Sequence, residues 1–330
     1  MTASLAHGDY LPTASWERLC QRGQLLRRLR QFFDEQGFVE VHTPILSADT
    51  VVDRHLDPVP VTLSDDPRQP EVGPRYWLQT SPEFGMKRLL AAGAQAIYQV
   101  TKAFRLAERG PLHNPEFTMV EWYRVGDDYQ AGMQLLADLA EVMFERGKAL
   151  RLSFAQAFQT ALAIDPHRAE VAELAAIAAR LGIDTAAFEE ADRDAWLDLL
   201  LVEAVQPNLG AGQPVILYDF PASQSALAQV RPGPPAVAER FELYADGLEL
   251  ANGYHELLDA AELRRRNHLA NQQRMADGKP PLPVESRLLA AMDGGLPSCS
   301  GTALGFDRLV MVATGAKTID EVIAFPVERA

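Results

Sequence analysis

Apolar and polar positions along the chain fall into stretches of different period. After Ser15, a residue suited to capping, Leu19, Leu26, Leu29 and Phe33 recur at helical spacing, which predicts a helix ended by Gly37, with Arg18, Arg22 and Arg28 elsewhere on its wheel. Phe38 to His42 then alternates apolar and polar, and Pro44 closes a short strand. Residues 47–75 are rich in Asp, Pro, Ser and Gly, the composition of an extended loop or an irregular hairpin. Strand-like runs follow at Tyr76 to Thr80, Ile97 to Arg105 and Phe117 to Arg124, with a helix from Phe84 to Ala92 and a loop from Glu108 to Glu116 between them. Residues 130–205 read as helical throughout, with Ala-rich amphipathic segments at Ala169 to Leu181 and Asp194 to Val205. Strands return at Val215 to Asp219, Glu239 to Ala245 and Leu248 to Tyr254, and a last helix begins near Gly305.

Strands interrupted by a helical block, without regular βαβα alternation, predict an α+β fold built on a largely antiparallel sheet flanked by helices. The expected organisation is an N-terminal extension at 1–15 and one domain over 16–330, in which 130–205 is an insertion or scaffold.

Composition narrows the class. With 330 residues, 47% hydrophobic and 23% charged, the chain is an ordinary globular protein. Its longest apolar stretches, such as Asp198 to Val205, are broken by charges, so no transmembrane helix and no membrane partner are expected. Met1 to Ser15 carries no Lys, Arg or continuous apolar run, which predicts a cytoplasmic protein. Cys20 and Cys299 form no CxxC pair and read as buried thiols without a zinc site. A net charge of −14 opposes binding to a phosphate backbone and favours a basic protein partner.

The common nucleotide and hydrolase signatures GxxxxGK[ST], GxGxxG, HExxH and GxSxG are absent, so any nucleotide site uses another design. Phe117, Met119, Glu121 and Tyr123 share one face of a strand, which is either a core face or a ligand-facing one. Asp246-Gly247 signals a two-residue hairpin that sets Tyr244 opposite Glu249 and makes Glu242 a diagonal neighbour. Those two acids form either a solvated face or a place for a divalent cation such as Mg2+. Asn252 and Glu256 have the wrong parity to join Glu249 unless the strand breaks at Asn252-Gly253. Gly301-Thr-Ala303-Leu-Gly305-Phe-Asp307-Arg308 brings small residues and an arginine to a helix start, where an anion can sit.

Taken in order, these segments resemble the catalytic core of class II aminoacyl-tRNA synthetases. The first helix with Phe38 to Pro44 resembles motif 1, Ala103-Phe-Arg105 through Glu121-Trp-Tyr123 resembles motif 2, and Gly301 to Arg308 resembles motif 3. Glu249-Leu-Ala-Asn-Gly-Tyr-His-Glu256-Leu is similar to the lysine-pocket signature of lysyl enzymes. About fifteen residues precede the first helix, too few for the five-stranded anticodon-binding barrel of a lysyl-tRNA synthetase. Together with Ala303 in motif 3, this makes the chain most similar to the elongation factor P–(R)-β-lysine ligase family.

The resemblance implies a homodimer that uses ATP and Mg2+ to activate lysine or (R)-β-lysine and transfers it to a lysine side chain of elongation factor P, without acting on tRNA. The alternative is a truncated lysyl-tRNA synthetase-like enzyme acting on tRNA or a small-molecule acceptor. By the same resemblance, Arg105 is the catalytic residue, bridging the amino-acid carboxylate and the α-phosphate. Phe117 stacks on adenine, His113 and Asn114 hold the nucleotide, and Glu249, Leu250, Gly305 and Arg308 complete the ATP site. Glu242 and Glu249 hold the metal. The amino acid meets Ser81, Pro82, Glu83, Tyr123, Asn252, Glu256 and Ala303. One departure stands out: the usual Arg-x-Glu of motif 2 is replaced by Arg105 followed by Leu106, Ala107 and Glu108, so adenine is read by Glu108 or by backbone groups of Leu106 and Ala107.

Overall fold

In the computed structural model, Ser15 caps the first helix as its position predicts: its Oγ accepts from the Arg18 amide at 3.2 Å, and α1 runs Trp16–Glu35. The structure describes residues 10–186, 188 and 192–330, so residues 1–9 of the expected extension, and 187 and 189–191 of the expected helical block, lie outside the described residues. Packing divides the chain into two units. The first comprises the chain up to Val125, Leu258–Pro297 and Ala303–Ala330, and the second comprises Gly126–Leu257 and Ser298–Thr302.

In the first unit, α1 is followed by β1 (Val39–Glu40), β2 (Leu46–Ser47), β3 (Val59–Thr62), β4 (Arg75–Leu78), α2 (Glu83–Ala91), β5 (Ala96–Phe104) and β6 (Glu116–Val125). β5 and β6 form a long antiparallel pair, in register from Ala96 opposite Arg124 to Phe104 opposite Glu116, and β1 joins β5 in parallel. Phe33 of α1 stacks on Tyr98 of β5 at 4.5 Å and tilts against Trp122 of β6 at 5.2 Å, so the helix is fixed by the apolar stripe that predicted it. Residues 47–75 contain a real hairpin: β3 and β4 pair, and β2 completes a small antiparallel sheet.

The second unit contains α3 (Tyr129–Phe144), β7 (Leu150–Ser153), α4 (Phe154–Leu162), α5 (Val171–Leu181), α6 (Arg193–Leu200), β8 (Val215–Pro221), β9 (Val230–Arg231), β10 (Val237–Ala245) and β11 (Leu248–His255). Its strands run in the order β11-β10-β8-β7, antiparallel except for β7 on β8. Phe154, Phe158, Leu174, Trp196, Leu200, Leu217 and Phe220 give it a core of its own. The block expected to be helical throughout is therefore interrupted by β7, four residues whose strand conformation comes from pairing with β8 rather than from local propensity.

The chain then returns to the first unit through α7 (Ala260–Ala276) and α8 (Arg287–Asp293). β12 (Cys299–Gly305) has its first residues in the second unit and its last in the first, where α9 (Phe306–Thr314) follows. α7 has no apolar stripe. The residues it buries include Leu263, Asn267, Asn271 and Arg274, and the polar ones cap loop backbone: Asn271 both donates to and accepts from Leu282 at 2.8 Å, and Arg274 donates to Asp53 O at 2.9 Å. Cys299 is buried as expected, whereas Cys20 is exposed because it lies on the polar side of α1. No described helix is long and apolar enough to cross a membrane.

Asn271→Ala leaves the Leu282 N–H and C=O buried without partners. It should cost about 2 to 4 kcal/mol, read as a lower denaturant midpoint.

Candidate functional site

The loop between β5 and β6 holds the first group of candidates, all in the first unit. The Arg105 amide donates to Pro115 O at 2.9 Å, and paired backbone bonds between Gly110 and His113 close the loop further out. The Arg105 guanidinium lies 5.0 Å from the Phe117 ring centre and 3.6 Å from Glu108, and its Nε is buried with no hydrogen-bond partner. A guanidinium that rests on an aromatic face with an unpartnered Nε keeps a donor for an anion. Leu106 is half exposed, its amide held by Asp57 O at 2.7 Å, and Ala107 adopts a left-handed φ of 65° that an alanine takes only under constraint.

Arg308 donates to His113 Nε2 at 2.6 Å. Burial, followed by the charges of Arg308 and Arg105, lowers the His113 pKa, which keeps the ring a neutral acceptor. Asn114 is buried with its side chain engaged, donating to Glu116 O at 2.6 Å and accepting from the Val327 amide at 3.0 Å. Gly305 is the N-cap of α9 at an ordinary φ of −75°, so backbone torsion does not require glycine there.

A second group in the same unit surrounds a buried acid. Glu121 is 1% exposed and accepts from Ser81 Oγ at 2.6 Å and from the Tyr123 hydroxyl at 2.5 Å. Glu83, in the first turn of α2 after the buried Pro82, pairs with the buried Lys87 at 2.5 Å, and Lys87 also lies 5.9 Å from the Tyr123 ring centre. Burial, followed by the charge of Glu83, pushes the Glu121 carboxyl up to about 8. Ser81, Glu83 and Tyr123 thus come together as the sequence implied, but around Glu121 and Lys87, which were not assigned to the site. The signal for Glu121 was a carboxylate on the strand face it shares with Phe117, Met119 and Tyr123.

In the second unit, Asp246 and Gly247 both have positive φ, 51° and 76°, which is the hairpin conformation their dipeptide signals. Tyr244 stands opposite Glu249 and Glu242 opposite Asn252, with a register shift between them. The strand break therefore falls at Leu250, which is the extra residue and is buried, and not at Asn252-Gly253. That shift corrects the parity conflict and sets Glu242, Tyr244, Glu249 and Asn252 on one face. Gly253 serves packing: a Cβ there would meet the Phe241 ring at 2.3 Å. Glu256 is 1% exposed, and its amide donates to Cys299 O at 3.1 Å.

Glu242 accepts from Arg240 and, at 2.5 Å, from the Tyr244 hydroxyl. Burial raises the pKa of its carboxyl, opposed by Arg240. No group of three or more His, Cys, Asp or Glu side chains disposed to hold a metal occurs among the described residues. Glu242 and Glu249 share a face with Asn252, whose Oδ1 is buried and unpartnered, and these oxygens are of the hard kind that Mg2+ takes, with both Glu242 oxygens already engaged by Arg240 and Tyr244.

Residues 9–329 match the family of class II tRNA synthetases (D, K and N). Among curated relatives, the elongation factor P–(R)-β-lysine ligase of Vibrio vulnificus (strain YJ016) is 47% identical over 96% of this chain and 98% of its own length. The protein of that name from Vibrio cholerae serotype O1 is 46% identical over 99% and 100%, and that from Klebsiella pneumoniae subsp. pneumoniae 47% identical over 97% and 98%.

A carboxyl whose folded pKa lies above its unfolded value binds more protons when folded. The stability from that proton is present below about pH 4.5 and lost as the pH rises through about 8. Glu121→Gln, which keeps the neutral shape of the protonated carboxyl, should remove this decline, so the denaturation midpoints of the two proteins should lie close at low pH and separate as the pH rises toward about 8, the variant losing less stability.

Proposed function

The chain belongs to the class II tRNA synthetases of the D, K and N group, and from that premise we propose that it is the ligase that activates (R)-β-lysine with ATP and joins it to a lysine side chain of elongation factor P. The observation that carries this reading is the match, end to end, to several ligases of that name. The protein works as a homodimer in the cytoplasm and leaves tRNA unmodified.

In the first step an amino-acid carboxylate oxygen attacks the α-phosphorus of ATP. The carboxyl–phosphate bond forms, the bond to the β-phosphate bridge breaks, and pyrophosphate leaves. A carboxylate is already a nucleophilic anion, so this step needs orientation and charge neutralisation rather than a base. Arg105 supplies both: its open edge binds the carboxylate and the α-phosphate, and Phe117 supports it from below the guanidinium plane while offering its ring to adenine. His113 and Asn114 order the loop, and Arg308 reaches the nucleotide from the start of α9. The base is read by Glu108, which lies 3.6 Å from Arg105, or by backbone groups of Leu106 and Ala107 other than the Leu106 amide, which is given to Asp57 O.

Ser81, Glu83 and Tyr123 bind one end of the amino acid, with Glu121 fixing two of their hydroxyls. By the resemblance, Glu256 in the second unit answers an ammonium and Asn252 a carboxylate, and Glu242 and Glu249 would hold Mg2+, which would neutralise phosphate charge. In the second step the acceptor amine, as the free base, attacks the activated carbonyl, forming an amide and releasing AMP and a proton.

Mass spectrometry of elongation factor P incubated with the enzyme, ATP, Mg2+ and (R)-β-lysine should show one added β-lysyl group. Charging of tRNA-Lys instead, at rates near those of adenylate formation, would favour the truncated synthetase reading. Arg105→Ala should abolish amino-acid-dependent exchange of pyrophosphate into ATP, and normal exchange would remove Arg105 from its role. Ala303 stands where the lysyl-tRNA synthetase pattern has glycine, and a methyl group crowds an α-amino group more than a β-amino group. Ala303→Gly should therefore shift the kcat/KM ratio toward α-lysine, by roughly 10- to 200-fold for a methyl-sized change, and an unmoved ratio would place selectivity elsewhere.

A further inference from the structure

α1 contributes a side chain that the proposed chemistry has not used. Arg22 lies 2.6 Å from Asp307 Oδ1 through Nη1 and donates to Thr118 Oγ1 at 2.8 Å through Nη2, and its guanidinium sits 4.9 Å from the Phe306 ring centre. Asp307 completes the ring of contacts, accepting from the Thr118 amide at 2.7 Å. All four residues belong to the first unit, and Asp307 is 2% exposed.

Chain adjacency gives this cluster its meaning. Thr118 follows Phe117 on β6, and Phe306 and Asp307 precede Arg308 on α9. We propose that Arg22 is a positioning residue of the nucleotide site: by clamping Thr118 and Asp307 together it fixes the distance between the Phe117 ring and the Arg308 guanidinium. The proposal rests on the assignment of those two residues to ATP. Arg22 itself does not touch the reacting atoms.

The clamp requires an arginine. Two nitrogens on one rigid plane reach a carboxylate and a hydroxyl at once while the flat face covers Phe306, and an ammonium on a flexible stem can satisfy one of these partners at a time. Asp307 needs the contact as much as the site does, because a buried carboxylate without a cation is strongly disfavoured. The link also joins the helix that resembles motif 1 to the strand of motif 2 and the helix of motif 3 through a single side chain.

The test is ATP–pyrophosphate exchange with the full chain, measuring KM for ATP and for β-lysine separately in Arg22→Met, Arg22→Lys and Thr118→Val. Arg22→Met should raise the KM for ATP on the order of tenfold, and the other two by less, with the KM for β-lysine moving no more than about twofold. If Arg22→Met does not fold, Arg22→Lys retains the charge and Thr118→Val retains the ion pair, and these carry the measurement. An unchanged KM for ATP in every folded variant overturns the proposal, as does a parallel rise in both KM values with a lowered melting temperature, the mark of general loosening. Absence of exchange in the unaltered protein would instead overturn the assignment of the ATP site on which the proposal stands.

Discussion

The register of β5 against β6 is the constraint from which the first unit's candidate chemistry follows. Side chains alternate across a strand, so with Ala103 opposite Phe117 and Gln99 opposite Glu121, the faces of both strands are set together. Arg105 leaves the end of β5 opposite Pro115, to which its amide donates, two positions beyond the Ala103–Phe117 pair and on the same face. A slip of one residue would turn Phe117, Glu121 and Tyr123 away together and take Trp122 off Phe33 of α1, onto the face where Ser81 meets Glu121. The loss of that apolar packing and the burial of mismatched groups hold the register, and the register positions the polar groups.

The polar groups themselves follow a second rule, that charge taken out of water must be paired. Among the buried acids of the candidate regions, Glu121 accepts from Ser81 and Tyr123, Glu83 from Lys87, Asp307 from the Thr118 amide while pairing with Arg22, and Glu242 from Arg240 and Tyr244. These pairings add little net stability, because desolvation offsets most of the attraction. Their effect is on geometry. Glu121, Asp307 and Glu242 each hold two neighbours, so that hydroxyls and guanidinium groups are oriented before any ligand arrives.

Much of this was legible beforehand where signals are local. Ser15 as a cap, the Leu29 and Phe33 stripe, and the Asp246-Gly247 turn depend on neighbouring residues and chain torsions, and each is found as the sequence reads. Signals of non-local origin failed. α7 has no apolar period because its buried face is built from Asn267, Asn271 and Arg274, whose partners lie in other loops, and β7 is a strand because β8 lies beside it. The strand break at Leu250 was foreseen in need but not in place: parity demands a shift somewhere between Glu249 and Asn252, and only the pairing with β10 fixes which residue is left over.

The sequence by itself determined the fold class and the order of the motifs, because those are written in residue types at short spacing. Tertiary structure decided which side chains hold them. Arg22 reads as one more cation on the polar side of a helix, and Glu121 as an acid among aromatic and apolar residues on one strand face; neither pattern names a partner. Asp307 lies 285 positions from Arg22, and Ser81 lies 40 from Glu121, so the contacts exist only once the strands and helices have packed. A hydrogen bond is a short-range interaction between groups whose meeting depends on the whole fold, and no periodicity along the chain encodes it.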